Sequence, residues 1–125
     1  MNIIVLLVDS SGTWSPEKWA ASNGGKHVSD SQVVIEQMAD WLSIVRDNRV
    51  LADFDHDELA HLSKLVSEPM AYLIEWKDGV LVERLLQSIP PETPAAVDND
   101  HGLLVSVQQV AGRPLNSWVK MAELE

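Results

Sequence analysis

Residues 29–48 read SDSQVVIEQMADWLSIVRDN, and this stretch decides which fold the sequence predicts. Apolar side chains recur in it at helical spacing: Val34, Ile35, Met38, Trp41, Leu42 and Val45. Ser29 and Gln32 have the spacing of a capping box at its start. We therefore predict that residues 29–48 form the longest helix and that Trp41 and Leu42 face a sheet.

The segments before this stretch predict a strand and a loop. Residues 2–8 are apolar after Asn2 and rich in β-branched side chains, which is typical of a buried strand, and Asp9 begins the polar turn that ends it. Residues 14–27 contain one proline and two glycines and predict a loop with one helical turn at 16–21.

A second, shorter helix is predicted to begin at Asp55. Glu58 stands at its third helical position, and Pro69 prevents the helix from continuing. Four apolar side chains are expected to face inward: Leu59, Leu62, Leu65 and Val66.

The remaining pattern predicts strands. Alternation at 71–76 and 80–86, around Lys77-Asp78-Gly79, indicates a hairpin. A loop over 89–102 leads to a strand at 103–110 and an extended segment at 118–121. The order is a strand, two helices and an antiparallel meander of three to four strands, which favours an α+β two-layer sandwich in a single domain, residues 1–125.

Charge is the most informative feature of the composition. Nineteen acidic residues against nine lysines and arginines give a formal net charge of -10, which disfavours nucleic acid as a partner and favours a basic protein. Without cysteine, disulfides and thiolate sites are excluded. Since no signal peptide or membrane span is recognisable, we expect a cytoplasmic protein with no membrane partner.

The acidic residues are concentrated in the middle of the chain. Residues 28–68 contain nine acidic residues and three lysines or arginines. The density of acidic residues at the start of the second helix exceeds what capping needs. The segment that begins at Asp53 is not an EF-hand loop, because Glu58 and Lys64 occupy the positions where that loop requires glycine and glutamate. We predict a partner-binding surface with an apolar anchor, formed by Asp53, Asp55, Asp57, Glu58, Asp40, Asp47 and Trp76.

The loop Asp9-Ser10-Ser11-Gly12-Thr13 is the second candidate site. It resembles the metal-binding loop of von Willebrand factor A domains, which implies a divalent cation on Asp9, Ser11 and Thr13. It also resembles the nucleophile loop of haloacid-dehalogenase-type phosphatases, although Ser11 replaces the acid/base aspartate. A small metal-dependent hydrolase is therefore the alternative function, and an Asx-turn that ends the strand is the structural interpretation.

In size, acidity, lack of cysteine and α+β pattern the chain resembles the immunity proteins of contact-dependent growth inhibition and related bacterial polymorphic toxin systems. The resemblance implies a non-enzymatic inhibitor, without metal or cofactor, whose partner is a basic toxin nuclease domain. A nuclease presents a basic surface to its substrate, and an acidic protein can block that surface and associate rapidly.

Overall fold

An antiparallel sheet of seven strands organises the chain in a computed structural model, which describes residues 2–124. The strands are β1 Ile3–Asp9, β2 Lys26–His27, β3 Gln32–Gln37, β4 Asp40–Arg46, β5 Pro69–Trp76, β6 Ala95–Asp98 and β7 Leu104–Ser106. Their order across the sheet is β2-β3-β4-β5-β1-β6-β7. The α-helices are α1 Pro16–Ser22, α2 His56–Leu65 and α3 Val80–Ser88, and short 3-10 helices span Asn48–Asp53, Val107–Gln109 and Leu115–Ser117.

The two faces of the sheet are covered unequally. On the first face, α1, α3 and the segment 107–118 bury the larger core, which includes Trp118. On the second face, α2 packs Leu62 against Leu7, Ala71 and Ala96 in a smaller core. The predicted α+β class is confirmed, although helices cover both faces and the numbers of strands and helices differ from the prediction.

The predicted helix over 29–48 is wrong. These residues form the hairpin of β3 and β4, joined by the two-residue loop Met38-Ala39. Met38 has a φ of 55°, the left-handed conformation that a tight turn requires. Because alternate strand residues face the core, Val33 and Ile35 are buried while Trp41 is 37% exposed on the other face.

The predicted hairpin over 71–86 is half wrong. β5 is present, but 80–86 lie in α3, which buries Leu81, Val82, Leu85 and Leu86. Gly79 does adopt the positive φ expected of it, at 97°, but it begins a helix instead of turning a hairpin. An added Cβ at Gly79 would lie 2.7 Å from Cδ1 of Leu115, whose side chain would have to shift, so the positive φ is the stronger requirement for glycine here.

The C-terminal third differs in three places. The predicted loop 89–102 contains β6, the predicted strand 103–110 shortens to β7 followed by a 3-10 helix, and 118–121 is not extended. The buried side chain of Asn99 holds this region together, since its amide donates to the carbonyls of Trp118 (2.8 Å) and Met121 (2.7 Å).

Local signals were reliable for β1, α1 and α2. β1 and α1 lie where the sequence predicts them. The α2 capping box is present, with the Glu58 N–H donating to Asp55 and the Asp55 N–H donating to Glu58. One inward position was wrong, since Leu59 is 42% exposed. Within residues 2–124, no helix has the length and apolar character needed to cross a membrane.

The position of Trp41 changes the expected effect of removing it. A core tryptophan replaced by alanine would cost roughly 3–5 kcal/mol. Trp41→Ala should instead lower the free energy of unfolding by about 1–2 kcal/mol, because solvent fills the space and no cavity forms. Urea titration of Trp41→Ala beside Trp118→Ala checks this, since Trp118 is fully buried and should show the larger loss. Equal losses would place Trp41 in a packed core.

Candidate docking surface

The N-terminus of α2 brings carboxylates to the surface by local rules. Asp55 and Glu58 cap the helix reciprocally, at 2.8 and 3.0 Å, and Asp57 complements the positive end of the helix dipole. Asp53 ends the preceding 3-10 helix and is exposed. Capping therefore occupies two of these four side chains, and it leaves Asp53 and Asp57 facing solvent.

The structure adds three carboxylates that are distant in the sequence. A groove of about 280 Å³ is lined by Asp53, Glu58, Asp98 and Asp100. A more open depression of about 540 Å³ is lined by Asp55, Asp57, Glu58 and Glu123. Glu58 borders both, so the two depressions are adjacent. We call their carboxylates together the acidic surface, which consists of Asp53, Asp55, Asp57, Glu58, Asp98, Asp100 and Glu123.

The basic side chains of the described residues lie elsewhere. Within residues 2–124, neither depression is lined by a lysine or an arginine. His61 borders the larger one, and its Nε2 donates a hydrogen bond to the Leu104 carbonyl at 2.9 Å. Negative charge therefore predominates across the acidic surface, where Asp100 shares a neighbouring pocket with Lys120.

The pKa of Asp98 reflects the crowding of these charges. It lies beside Val5 in the register of β1 and β6, at the edge of the groove. Burial raises its pKa, and the negative charges of Glu58 and Asp100 raise it further, against the lowering effect of the Asp100 N–H that bonds to it at 2.9 Å. Removing a proton from Asp98 is thus opposed by its neighbours.

Asp40 does not belong to this surface. It is buried, and its carboxylate accepts hydrogen bonds from the backbone N–H groups of Trp41 (2.9 Å), Asp78 (2.8 Å) and Leu81 (3.0 Å). α3 has Gly79 at its N-cap and no side-chain cap of its own, so a carboxylate from β4 performs that role. Asp40 is a structural residue, which corrects the predicted partner-binding role.

Asp47 and Trp76 are also engaged elsewhere. Asp47 caps the 3-10 helix at the N–H of Arg49 and forms an ion pair with the Arg49 guanidinium at 2.9 Å. That guanidinium holds the pKa of Asp47 below its ordinary value. Trp76 is 5% exposed within the larger core and is not available as an apolar anchor.

The Asp9 loop adopts the Asx-turn interpretation. Oδ1 of Asp9 accepts from the N–H of Ser11 (2.9 Å) and from its hydroxyl (2.7 Å), and Oδ2 accepts from the Ser67 hydroxyl (3.3 Å). These hydrogen bonds, first those from Ser11, hold the pKa of Asp9 below its ordinary value. Among the described residues no group of three or more acidic or histidine side chains could hold a metal ion.

In the cleft beside Asp9, charged side chains of the protein pair with each other. Its volume is about 160 Å³, and its charged groups include Glu17 and Arg46, which form an ion pair at 2.7 Å. The Tyr72 hydroxyl donates to the other oxygen of Glu17 at 2.8 Å, and burial followed by this contact raises the pKa of Tyr72. The three side chains tie α1 to β4 and β5, so they serve the fold.

Sequence reasoning found four members of the acidic surface and missed Asp98, Asp100 and Glu123. The four lie within six consecutive residues, whereas the packing of α2 against β6 brings Asp98 and Asp100 close and the C-terminal segment brings Glu123. The run Asp98-Asn99-Asp100 was visible as a polar loop, but its position depends on tertiary structure. Comparisons with protein-family models, with curated proteins and with solved structures find no match for this chain.

Proposed function

We propose that this protein is a non-enzymatic binding protein whose acidic surface docks a basic protein. The observation that carries the proposal is the gathering of seven carboxylates around two adjacent depressions that, within the described residues, no lysine or arginine lines. A surface of one sign attracts a partner of the opposite sign and raises the rate of encounter.

The cost of keeping these charges together supports the same proposal. The raised pKa of Asp98 reflects burial first and then the repulsion from Glu58 and Asp100. A lysine or arginine of a partner placed between these side chains would relieve the repulsion on binding. The acidic surface is therefore better matched to a cationic partner than to water.

The partner class that fits best is a toxin nuclease, which makes this chain an immunity protein of a bacterial cytoplasm. A nuclease must carry a basic surface to hold the phosphates of its substrate. An acidic protein that covers this surface excludes the substrate. The size, the charge and the confirmed α+β class agree with the resemblance to immunity proteins given by the sequence.

An affinity experiment with matched variants tests the proposal. The wild type, Asp55→Lys/Asp57→Lys and Asp30→Lys/Glu92→Lys are each immobilised and exposed to lysate of the source cells at low salt. Both variants change the charge equally, but Asp30 and Glu92 are exposed residues outside the acidic surface. Because Asp55 also caps α2, circular dichroism and a melting curve first establish that the Asp55/Asp57 variant keeps its fold. We expect the wild type and the Asp30/Glu92 variant to retain the same basic protein, and the Asp55/Asp57 variant to lose it.

The retained protein is then assayed for cleavage of RNA and DNA. Addition of the wild type should stop that cleavage in proportion to the complex formed, and the Asp55/Asp57 variant should not. Retention of acidic or neutral proteins alone, or equal binding by all three baits, would contradict the proposal. A retained basic protein without nuclease activity would contradict the immunity function and leave the docking role in place.

A further inference from the structure

Part of the second sheet face has no α-helix over it in the structure of residues 2–124. α2 covers the end of the face that carries Leu7, Ala71 and Ala96, and Val50 and Phe54, which precede α2, pack at the margin of this smaller core with Val5. Beyond that end the strands present side chains that are partly exposed, in contrast to the buried ones on the first face. We call this region the open face, and its apolar members are Ile3, Val5, Val34, Trp41, Val45 and Leu73.

The strand register makes the open face continuous. Val45, Leu73 and Val5 lie opposite one another on β4, β5 and β1, in adjacent positions. The next row carries Val34 on β3 and Ile3 on β1, at its two ends. Between those two lie Ser43 and Glu75, and the Gln32 amide satisfies the Ser43 hydroxyl at 2.9 Å. The open face is thus an apolar strip that Ser43 and Glu75 interrupt, with Gln32 and Glu36 on the same face.

Carboxylates surround this strip. Glu36 and Glu75 lie on the open face itself, beside Trp41 and Ile3 in the register. Four carboxylates of the acidic surface lie on the opposite side of the strip. They line the groove of about 280 Å³ together with Ile3, Val5 and Leu73. Among the described residues, three lysines lie at this margin: Lys26, paired with Val34, Lys77, whose N–H bonds to the Trp41 carbonyl, and Lys120, which lines a pocket with Ile3 and Asp100. The carboxylates of the rim outnumber these lysines, so the rim is net negative.

We propose that the open face binds one amphipathic, basic α-helix of the partner protein, an inference that rests on the proposed function. Apolar side chains of that helix contact the strip, and its flanking lysines or arginines reach the rim. The dimensions fit, because four strands at a spacing of about 4.8 Å span roughly 14 Å, and a helix with its side chains is about 10–12 Å wide. This helix would lie beside α2 and complete the layer that α2 begins.

Two other occupants fit less well. An added strand cannot pair here, because β4, β5 and β1 are interior strands whose backbone groups already bond to neighbours on both sides. A second copy of this chain would bring two acidic rims together at a net charge of -10 each. Charge complementarity therefore selects a cationic partner.

Three 18-residue peptides test the inference on the isotope-labelled full chain. The first has leucines in a helical stripe flanked by lysines, the second has the same composition in scrambled order, and the third replaces lysine by glutamate. Amide resonances in NMR spectra report where each binds. We expect the first to bind at least tenfold more tightly than the second and to shift the resonances of Val5, Val45 and Leu73, and the third not to bind.

Two lysine substitutions separate the open face from general charge attraction. Val45→Lys adds a cation at the centre of the strip and should weaken binding of the first peptide at least tenfold. Val80→Lys adds the same cation at an exposed site on α3, over the opposite face, and should change binding less than twofold. If Val45→Lys does not fold, Trp41→Lys at the exposed edge of the strip replaces it.

Several outcomes would overturn the inference. Equal binding of the first and second peptides, or resonance shifts confined to the first face, would show that the open face does not bind such a helix. Concentration-dependent dimerisation in sedimentation that Val45→Lys abolishes would assign the face to a second copy. If the partner captured by the wild type depends on Asp55 and Asp57 but is insensitive to Val45→Lys, the inference fails while the proposed function stands. If capture is insensitive to the reversals at Asp55 and Asp57, the proposed function fails.

Discussion

Replacement of Asp40 by alanine should lower the free energy of unfolding by roughly 2–4 kcal/mol, a large part of the stability of a small domain. The carboxylate is buried and accepts three backbone N–H groups, from Trp41, Asp78 and Leu81. Alanine offers these donors no acceptor, and the Leu81 N–H is buried, so it would lose its bond without gaining one to water. Denaturant titration of the variant measures the loss.

Two comparisons make this expectation specific. Asp30→Ala removes an exposed carboxylate and should change the free energy of unfolding by less than about 0.5 kcal/mol. Asp40→Asn keeps one acceptor oxygen but presents an amide donor to the N–H groups, so its stability should fall between wild type and Asp40→Ala. An Asp40→Ala protein as stable as Asp30→Ala would show that α3 does not need this cap.

The contribution of Asp40 should also depend on pH. Burial raises its pKa, but the N–H groups of Asp78, Leu81 and Trp41 outweigh burial, so the pKa lies below the ordinary 3.8. A depressed folded-state pKa means that the stabilisation is complete above the unfolded value and is lost as pH falls through the folded one. The stability difference between wild type and Asp40→Ala should therefore be constant from pH 7 to about pH 5 and should shrink below about pH 4.

The error over 29–48 shows where periodicity becomes ambiguous. Helical spacing accounted for the apolar residues, but Val33, Val34 and Ile35 are consecutive β-branched residues, which favour strands. The reversal at Met38 carries no glycine or proline, so nothing in the local sequence marked it. A hairpin without a turn residue can therefore imitate one long helix.

The same limit explains why the site was found only in part. The α2 cap depends on two residues three apart, and such a signal needs no knowledge of the rest of the fold. Asp40 caps a helix that begins 40 positions later, and Asp98 meets Glu58 only through the packing of α2 against β6. Charge density alone could not separate a carboxylate that caps a helix from one that faces solvent.

Reversal of Asp55 and Asp57 to lysine should slow association with the basic partner about 10- to 100-fold at low salt, while dissociation changes much less. Each reversal changes the charge by two units, so the pair changes it by four at the centre of the acidic surface. Both side chains line the open depression at the start of α2, where they act on an approaching partner before contact. Stopped-flow mixing measures the two rates.

Salt should distinguish steering from contact in the same experiment. Because charges are screened over about 8–10 Å at physiological ionic strength, the wild-type association rate should fall steeply as salt rises, and that of the reversed variant should change little. Asp30→Lys/Glu92→Lys carries the same total charge and should keep most of the wild-type rate, since its changes lie outside the acidic surface. If both variants slowed association equally, net charge would attract the partner and the acidic surface would have no special role. If instead neither variant altered association but the reversals at Asp55 and Asp57 sped dissociation, those carboxylates would act by direct contact in the bound complex, and attraction at a distance would not explain them.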